Sequence, residues 1–290
     1  YKLMLITYAR SSSLNNIDYC EQQYFLIYNL GLQSDTNIKT VCGTICHKNY
    51  EVLAACKKAF QETKANSVTI HDDAIGNIEV SFEDFMKVSV LSDDDVDNVN
   101  KTRINKAVFV DKPFIKYGHK RLGRDFVNSL IVRIYEYYEH QHDFQPMDFK
   151  NVVNWVWMAL DYNNGEYDPR LRTIVEPELP FDIEIDKPWA KYDYVIDGKK
   201  IKGNFRIKGT IDLITEVSPG IIELVDWKTG SRKNWATGAE KDFDALSKDK
   251  QLMLYYYVLR KLYPQAKQII ITIFFIRDGG PFTLCFDESS

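Results

Sequence analysis

The stretch that constrains this chain most is residues 201–230, IKGNFRIKGTIDLITEVSPGIIELVDWKTG. From Phe205 onward, Phe205, Ile207, Gly209, Ile211 and Leu213 alternate with Arg206, Lys208, Thr210, Asp212 and Ile214, the two-residue period of a half-buried strand. Ser218-Pro219-Gly220 is a turn signal. The return strand, 221–228, carries Ile222, Leu224, Asp226 and Lys228 on one face. Folding about Pro219 sets Asp212 across from Asp226, since each lies seven positions from that centre. Directly opposed residues have Cβ atoms roughly 4.5–5.5 Å apart, and like charges placed so destabilise a sheet. A positive group is therefore expected between them. Lys228, on the same face, is one candidate; a divalent metal is the better one, because hard cations such as Mg²⁺ take carboxylate oxygens and retain waters. A solvated surface hairpin is the plain alternative. The apolar run Ile221-Ile222-Glu223-Leu224-Val225 leading into Asp226 argues against it, because it reads as a buried strand.

Residues 15–31 read as a helix behind the capping cluster Ser11-Ser12-Ser13, stopping at Gly31. A second helix, 38–63, has an apolar stripe of Val41, Ile45, Val52, Cys56 and Phe60, and places His47 and Glu51 on one face. Residues 66–117 carry little pattern. Asp93-Asp94-Asp95-Val96-Asp97 is no calcium loop, because Asn98 and Ile104 stand where an EF-hand needs Gly and Glu. Two helical patterns fill 120–160, divided by Gln145-Pro146. Their aromatics Tyr135, Tyr137, Tyr138, Trp155 and Trp157 are expected mostly in the core, with base stacking as the functional alternative. Residues 172–185 read as the first strand of the core sheet and contain Glu176 and Glu178. Residues 231–247 are polar and expected to be mobile, and 249–263 form a helix with Gln251 and Tyr255 on one face. A buried strand, 269–276, closes the sheet, and 283–286 adds an edge.

At 290 residues, with 45% hydrophobic and 13% aromatic content, the chain can bury a full core, as one large domain or a core with an accessory lobe. A net charge of −4 rules out a global basic field, so a polyanion would have to be met locally. Lys199, Lys200, Lys202, Arg206 and Lys208 before the acidic pair, and Arg232 and Lys233 after it, are the candidates. No apolar run reaches the roughly 18 residues of a membrane span, and the opening Tyr1-Lys2-Leu3-Met4-Leu5-Ile6 lacks a secretory h-region. Five irregularly spaced cysteines make no secreted disulfide framework, so a reducing cytoplasm is expected.

Three segments then combine. Gly209-Thr210-Ile211-Asp212, Asp226-Trp227-Lys228-Thr229-Gly230 and Gln251-Leu252-Met253-Leu254-Tyr255 resemble, in order and spacing, the G-x-x-D … D-x-K-T-G … Q-x-x-x-Y series of the PD-(D/E)XK nuclease superfamily. The branch resembled is the RecB-like one, with its CRISPR-associated and phage-encoded exonucleases. Gly43-Thr44-Ile45-Cys46-His47 with Glu51 is similar to that branch's G-x-x-x-H-x-x-x-E segment. The likeness covers about residues 20–65 and 172–260.

The resemblance implies an α/β fold: a small mixed central sheet flanked by helices, a restriction-endonuclease-like core, with an N-terminal helical lobe. Residues 1–65 would contribute the His47 motif, 66–171 a helical accessory region and 172–290 the nuclease core. It implies a metal-dependent DNA exonuclease working on single strands or ends in recombination, repair or phage DNA metabolism, in a bacterial cytoplasm. Its partners would be DNA and a helicase or recombination protein. His47, Asp212, Asp226 and the backbone carbonyl of Trp227 would hold Mg²⁺ or Mn²⁺, Lys228 would handle the attacking water, and Gln251 and Tyr255 would place the scissile phosphate. Glu178 is the possible assisting acid, with Glu176 not separated from it and Glu51 a further candidate.

Many relatives also carry an iron–sulfur cluster held by four cysteine thiolates. Here Cys20 matches one ligand position, Cys42, Cys46 and Cys56 match none, and Cys285 sits in a strand-like run expected to bury it, so no cluster is expected. Two other function classes stay open: a catalytically silent nucleic-acid-binding or assembly module on the same fold, and a carboxylate-pair hydrolase acting on sugars. Lys228 on the carboxylate face and dependence on added metal separate the last from a nuclease.

Overall fold

The computed structural model describes residues 7–13, 20–32, 37–87, 115–117, 120–122, 125–232, 238–278 and 280–287. Its strands are β1 (Tyr8–Arg10), β2 (Ser67–Asp72), β3 (Gly76–Ser81), β4 (Ile115–Tyr117), β5 (Lys120–Leu122), β6 (Ile174–Glu184), β7 (Lys191–Ile196), β8 (Lys199–Asn204), β9 (Arg206–Ser218), β10 (Ile221–Lys228), β11 (Gln268–Phe275) and β12 (Gly280–Asp287). The helices are α1 (Glu21–Tyr24), α2 (Ile38–Thr63), α3 (Phe82–Met86), α4 (Phe126–Glu139), α5 (Pro146–Leu160), α6 (Phe243–Ser247) and α7 (Lys250–Leu262).

A six-stranded mixed sheet forms the centre, and β9 is its axis. β6 runs antiparallel along one edge of β9. The other edge is shared: β1 pairs in parallel with Arg206, Ile207 and Lys208, and β10 pairs antiparallel from Leu213 to Ser218. Residues 209–212 of β9 therefore face a fork between β1 and β10, where backbone pairing on that edge is interrupted. β11 lies parallel to β10, and β12 closes the sheet antiparallel to β11. The mixed α/β architecture is the one expected.

Near-continuous apolar runs in β10 and β11 let both faces of this sheet bury side chains. One core lies between the sheet and α2, α4 and α5, with Tyr50, Leu53, Val156, Leu213 and Trp227 buried in it. The other collects Ile211, Ile214, Leu224, Ile271 and the Leu252–Tyr255–Val258–Leu259 stripe of α7. Tyr135, Trp155 and Trp157 are buried as expected, whereas Tyr137 is exposed.

Several expectations are corrected. The first helix starts at Glu21 and continues as a π turn, Phe25–Asn29; Ser11–Ser13 is a separate 3-10 turn, and residues 14–19 lie outside the described ones. Cys20 is its cap, accepting the Gln23 N–H at 3.4 Å. The span 66–171 is not purely helical. It holds the β2–β3 hairpin, in which Val68, Ile78 and Val80 are buried and Asp72 accepts the Ala74 and Ile75 N–H groups in the turn, and the β4–β5 hairpin. The acidic run at 93–97 lies outside the described residues. Where described, the segment after Gly230 is tied down rather than loose: Lys241 N–H bonds Arg232 C=O at 2.8 Å, and Asp242 caps α6.

The basic cluster before the acids is largely neutralised. Lys200 and Lys202 pair with Asp193, and Arg206 and Lys208 with Asp182, so it does not present a bare groove. Cys285 is exposed, not buried, because β12 turns Phe282, Leu284 and Phe286 toward the core and Cys285 to the other face. No helix among the described residues is long and apolar enough to cross a membrane.

Candidate active site

The β9–β10 ladder runs to the pair Leu213–Val225, so Asp212 and Asp226 hold the next positions, where the strands part. They answer to opposite layers. Asp212 turns toward α2: its Oδ2 lies 3.3 Å from His47 Nδ1 and accepts the Trp227 N–H at 2.9 Å, replacing the ladder bond lost at the fork. Asp226 turns toward α7: its Oδ1 accepts from Tyr255 Oη at 3.2 Å, and that hydroxyl accepts from Gln251 Nε2 at 2.8 Å. Lys228 Nζ closes on Asp226 at 3.0 and 2.7 Å from its two oxygens.

α2 brings His47 here because Tyr50, three residues on, packs on the Trp227 ring at 4.5 Å between centroids. A side chain at Gly43 would stand 2.6 Å from Thr229 Oγ1, so only glycine lets the helix lie this close to the end of β10. Gly209 is held as closely, its missing side chain occupied by Ser11 and the Phe181 ring. These contacts are the physical content of the two motif glycines.

The two acids differ in protonation. Burial, together with the neighbouring Asp212 charge, pushes the Asp226 carboxyl above its usual value despite Lys228. Burial acts on Asp212 in the same sense but is outweighed by His47, Lys228 and the Trp227 N–H, which hold it below the usual carboxylate range. Burial lowers His47, yet the charge and hydrogen bond of Asp212 leave it net raised. Lys228 likewise loses to burial and gains more from Asp226 and Asp212, so it stays protonated.

Glu178 and Glu176 are now distinguishable. Glu176 is ion-paired with Lys58. Glu178 stands in β6 beside Asp212, skipped by the β6–β9 ladder between the pairs Pro177–Leu213 and Leu179–Ile211. Its φ is +46°, a left-handed conformation that is strained for any residue but glycine and recurs at functional sites. Burial and the charges of Glu51 and Asp212 raise its carboxyl. Glu51 itself is engaged by Lys48 at 2.6 Å, and Lys48 also reaches Asp72 at 3.0 Å.

Gln251 and Tyr255, the pair the motif assigns to the scissile phosphate, are buried, and their hydrogen bonds run to Asp226. Their common face is legible in the sequence; its target is not, because that depends on how α7 packs. No motif marks Arg277, which lines the cavity beside His47 and Glu178 together with Trp155, one of the aromatics singled out for core packing or base stacking. The one available signal is that β11 ends in parallel register with Lys228, which carries the following residues alongside Thr229.

The donors fit a hard divalent cation. His47 Nδ1 and Asp212 Oδ2 are close enough to share one ion, and Asp226 adds a buried carboxylate at the next position of the facing strand. Carboxylate oxygens with one imidazole suit Mg²⁺ or Mn²⁺. Among the described residues no group of three or more His, Cys, Asp or Glu is already gathered as a ligand set, and the ammonium of Lys228 stands against Asp226.

No curated protein matches the chain. The sequence profile of the PD-(D/E)XK nuclease superfamily, whose members are typically metal-dependent nucleases, matches residues 11–284, from the turn after β1 into β12. The match takes in the forked acids, the Lys228 strand and the helix beneath them, and the chain belongs to the PD-(D/E)XK nuclease superfamily.

Proposed function

We propose that this protein is a metal-dependent deoxyribonuclease of the RecB-like kind, cutting phosphodiester bonds exonucleolytically in single strands or at DNA ends. The observation that carries the reading is the pair Asp212 and Asp226 at the strand fork, with His47 against the first and Lys228 against the second. Mg²⁺ or Mn²⁺ held by Asp212, Asp226, His47 and the Trp227 carbonyl would lower the pKa of a bound water and offset charge on the phosphate. The chain's own groups supply the rest. His47 and the Trp227 N–H fix the ionised Asp212. Tyr255, oriented by Gln251, fixes Asp226, so this pair acts by positioning a carboxylate. Lys228 is protonated and part-exposed, able to leave Asp226 and meet the attacking water or the phosphate charge. Glu178 holds a proton more readily than an ordinary glutamate and stands where it would assist at that water. A helicase or recombination partner and a role in recombination, repair or phage DNA metabolism belong to the same reading and rest on the RecB-like motifs.

One observation favours a second reading, a catalytically silent nucleic-acid-binding module: the ammonium of Lys228 already neutralises Asp226. Digestion of end-labelled single- and double-stranded DNA with Mn²⁺, Mg²⁺ or EDTA decides. The nuclease reading expects metal-dependent products that the Asp226→Ala variant does not form, and mononucleotides released from one end. DNA binding without cleavage in any metal would establish the silent module instead.

A further inference from the structure

A cavity of about 600 Å³ is lined on one side by His47 and Glu178, and elsewhere by the first turns of α2, Trp155 of α5, Thr229 and Gly230 after β10, and Arg277 beyond β11. Two cations line it. The Arg277 guanidinium lies over the Trp155 ring, 4.5 Å from its centroid, and makes no hydrogen bond or ion pair among the described residues. The Lys39 ammonium has no such partner among them either; only its backbone N–H is held, by Asn37 Oδ1 at 2.9 Å. Other arginines of the fold are spent on acids: Arg170 on Asp168, Arg172 on Glu223, Arg206 on Asp182 and Arg232 on Glu240. Two uncompensated charges therefore share a wall with the acidic centre in a chain of net charge −4.

We propose that this cavity seats the backbone phosphate next to the one being cut, on the same strand, with Arg277 and Lys39 as its cationic contacts. The proposal rests on the nuclease reading above. Stacking on an indole fixes the plane of a guanidinium and leaves its N–H edges free for the bidentate geometry that phosphate accepts. A cation–π contact also holds the head group without neutralising it. Thr229 Oγ1, pressed against Gly43, adds a hydroxyl at the boundary between cavity and acids. The volume is that of a small-ligand pocket, room for a phosphate and its sugar.

The test is fluorescence anisotropy of a short labelled oligothymidylate in EDTA across a KCl series, with wild type, Arg277→Gln and Lys39→Gln, each checked by thermal melting. Loss of a charge-assisted phosphate contact is expected to weaken binding by roughly ten- to a hundredfold. It should also reduce the slope of log affinity against log salt by about 0.7 per variant. In Mn²⁺ the variants should raise KM with kcat kept, unlike Lys228→Ala. Lys39 is exposed on α2, so that variant tests the site even where Arg277→Gln fails to fold. Wild-type affinity and slope in the folded variants would overturn the subsite and leave the nuclease reading intact, provided the wild type cuts the oligonucleotide. A wild type that neither binds nor cuts it would overturn both.

Discussion

Asp212 and Asp226 sit side by side and are displaced in opposite directions, which makes the electrostatics of the site separable. A group whose folded pKa is raised contributes stability that is present below its unfolded value, ordinarily 3.8 here, and lost as pH rises through the folded value. Asp226 is such a group, so Asp226→Asn should melt higher than wild type at neutral pH without metal, and the gain should vanish in acid. Asp212 has the reverse sign: its contribution is present above 3.8 and lost as pH falls through its depressed folded value. Asp212→Asn should melt lower than wild type at neutral pH, with the gap closing in acid. Melting curves of both variants from acid to neutral pH check the pair, and shifts of the same sign would contradict it. Tyr255→Phe tests the positioning role of α7. It strips one donor from Asp226 and leaves buried Gln251 Nε2 without its acceptor, a cost of about 1–3 kcal/mol. Its kcat should fall with KM held; a raised KM with kcat intact would return Tyr255 to the phosphate.

The elements meet at one close contact, α2 against the end of β10. Gly43→Ala should force Thr229 outward, carry His47 away from Asp212 and cut cleavage more than it cuts stability. Adding Thr229→Ala removes the clashing oxygen and should restore activity, whereas a double variant as impaired as Gly43→Ala would show that the contact is not what seats the helix. The β9–β10 hairpin is legible in the sequence because alternation, a proline-glycine turn and two acids all agree on one register. The bulge at Ile221–Ile222 leaves Leu213 opposite Val225, where reflection about Pro219 puts it. Choosing between Glu176 and Glu178 is not legible, since it turns on a left-handed residue between Pro177 and Pro180 that no periodicity reports. The β2–β3 hairpin is missed because its alternation is short and its turn is built by a side chain, Asp72, accepting backbone N–H groups. The cavity cations, Lys39 and Arg277, are missed for a different reason: they come from distant parts of the chain and meet at Trp155 only through packing.

At the scale of the whole molecule, the sheet fork, α2 and α7 form one device that brings two acids and an imidazole together only in the folded state. A cation binding there must therefore stabilise the fold by linkage, by about 2.7 kcal/mol at a hundred times its Kd. His47→Ala should shrink that effect. His71→Ala should not, because His71 is exposed on β2 and engaged with Asn77 and Asp73. The measurement that bears most directly on the central claim is the melting temperature of wild type and Asp226→Ala across a Mn²⁺ titration. The acids as the metal centre predict a saturable rise in wild type and none in the variant; an equal rise in both would place the metal elsewhere and contradict the account.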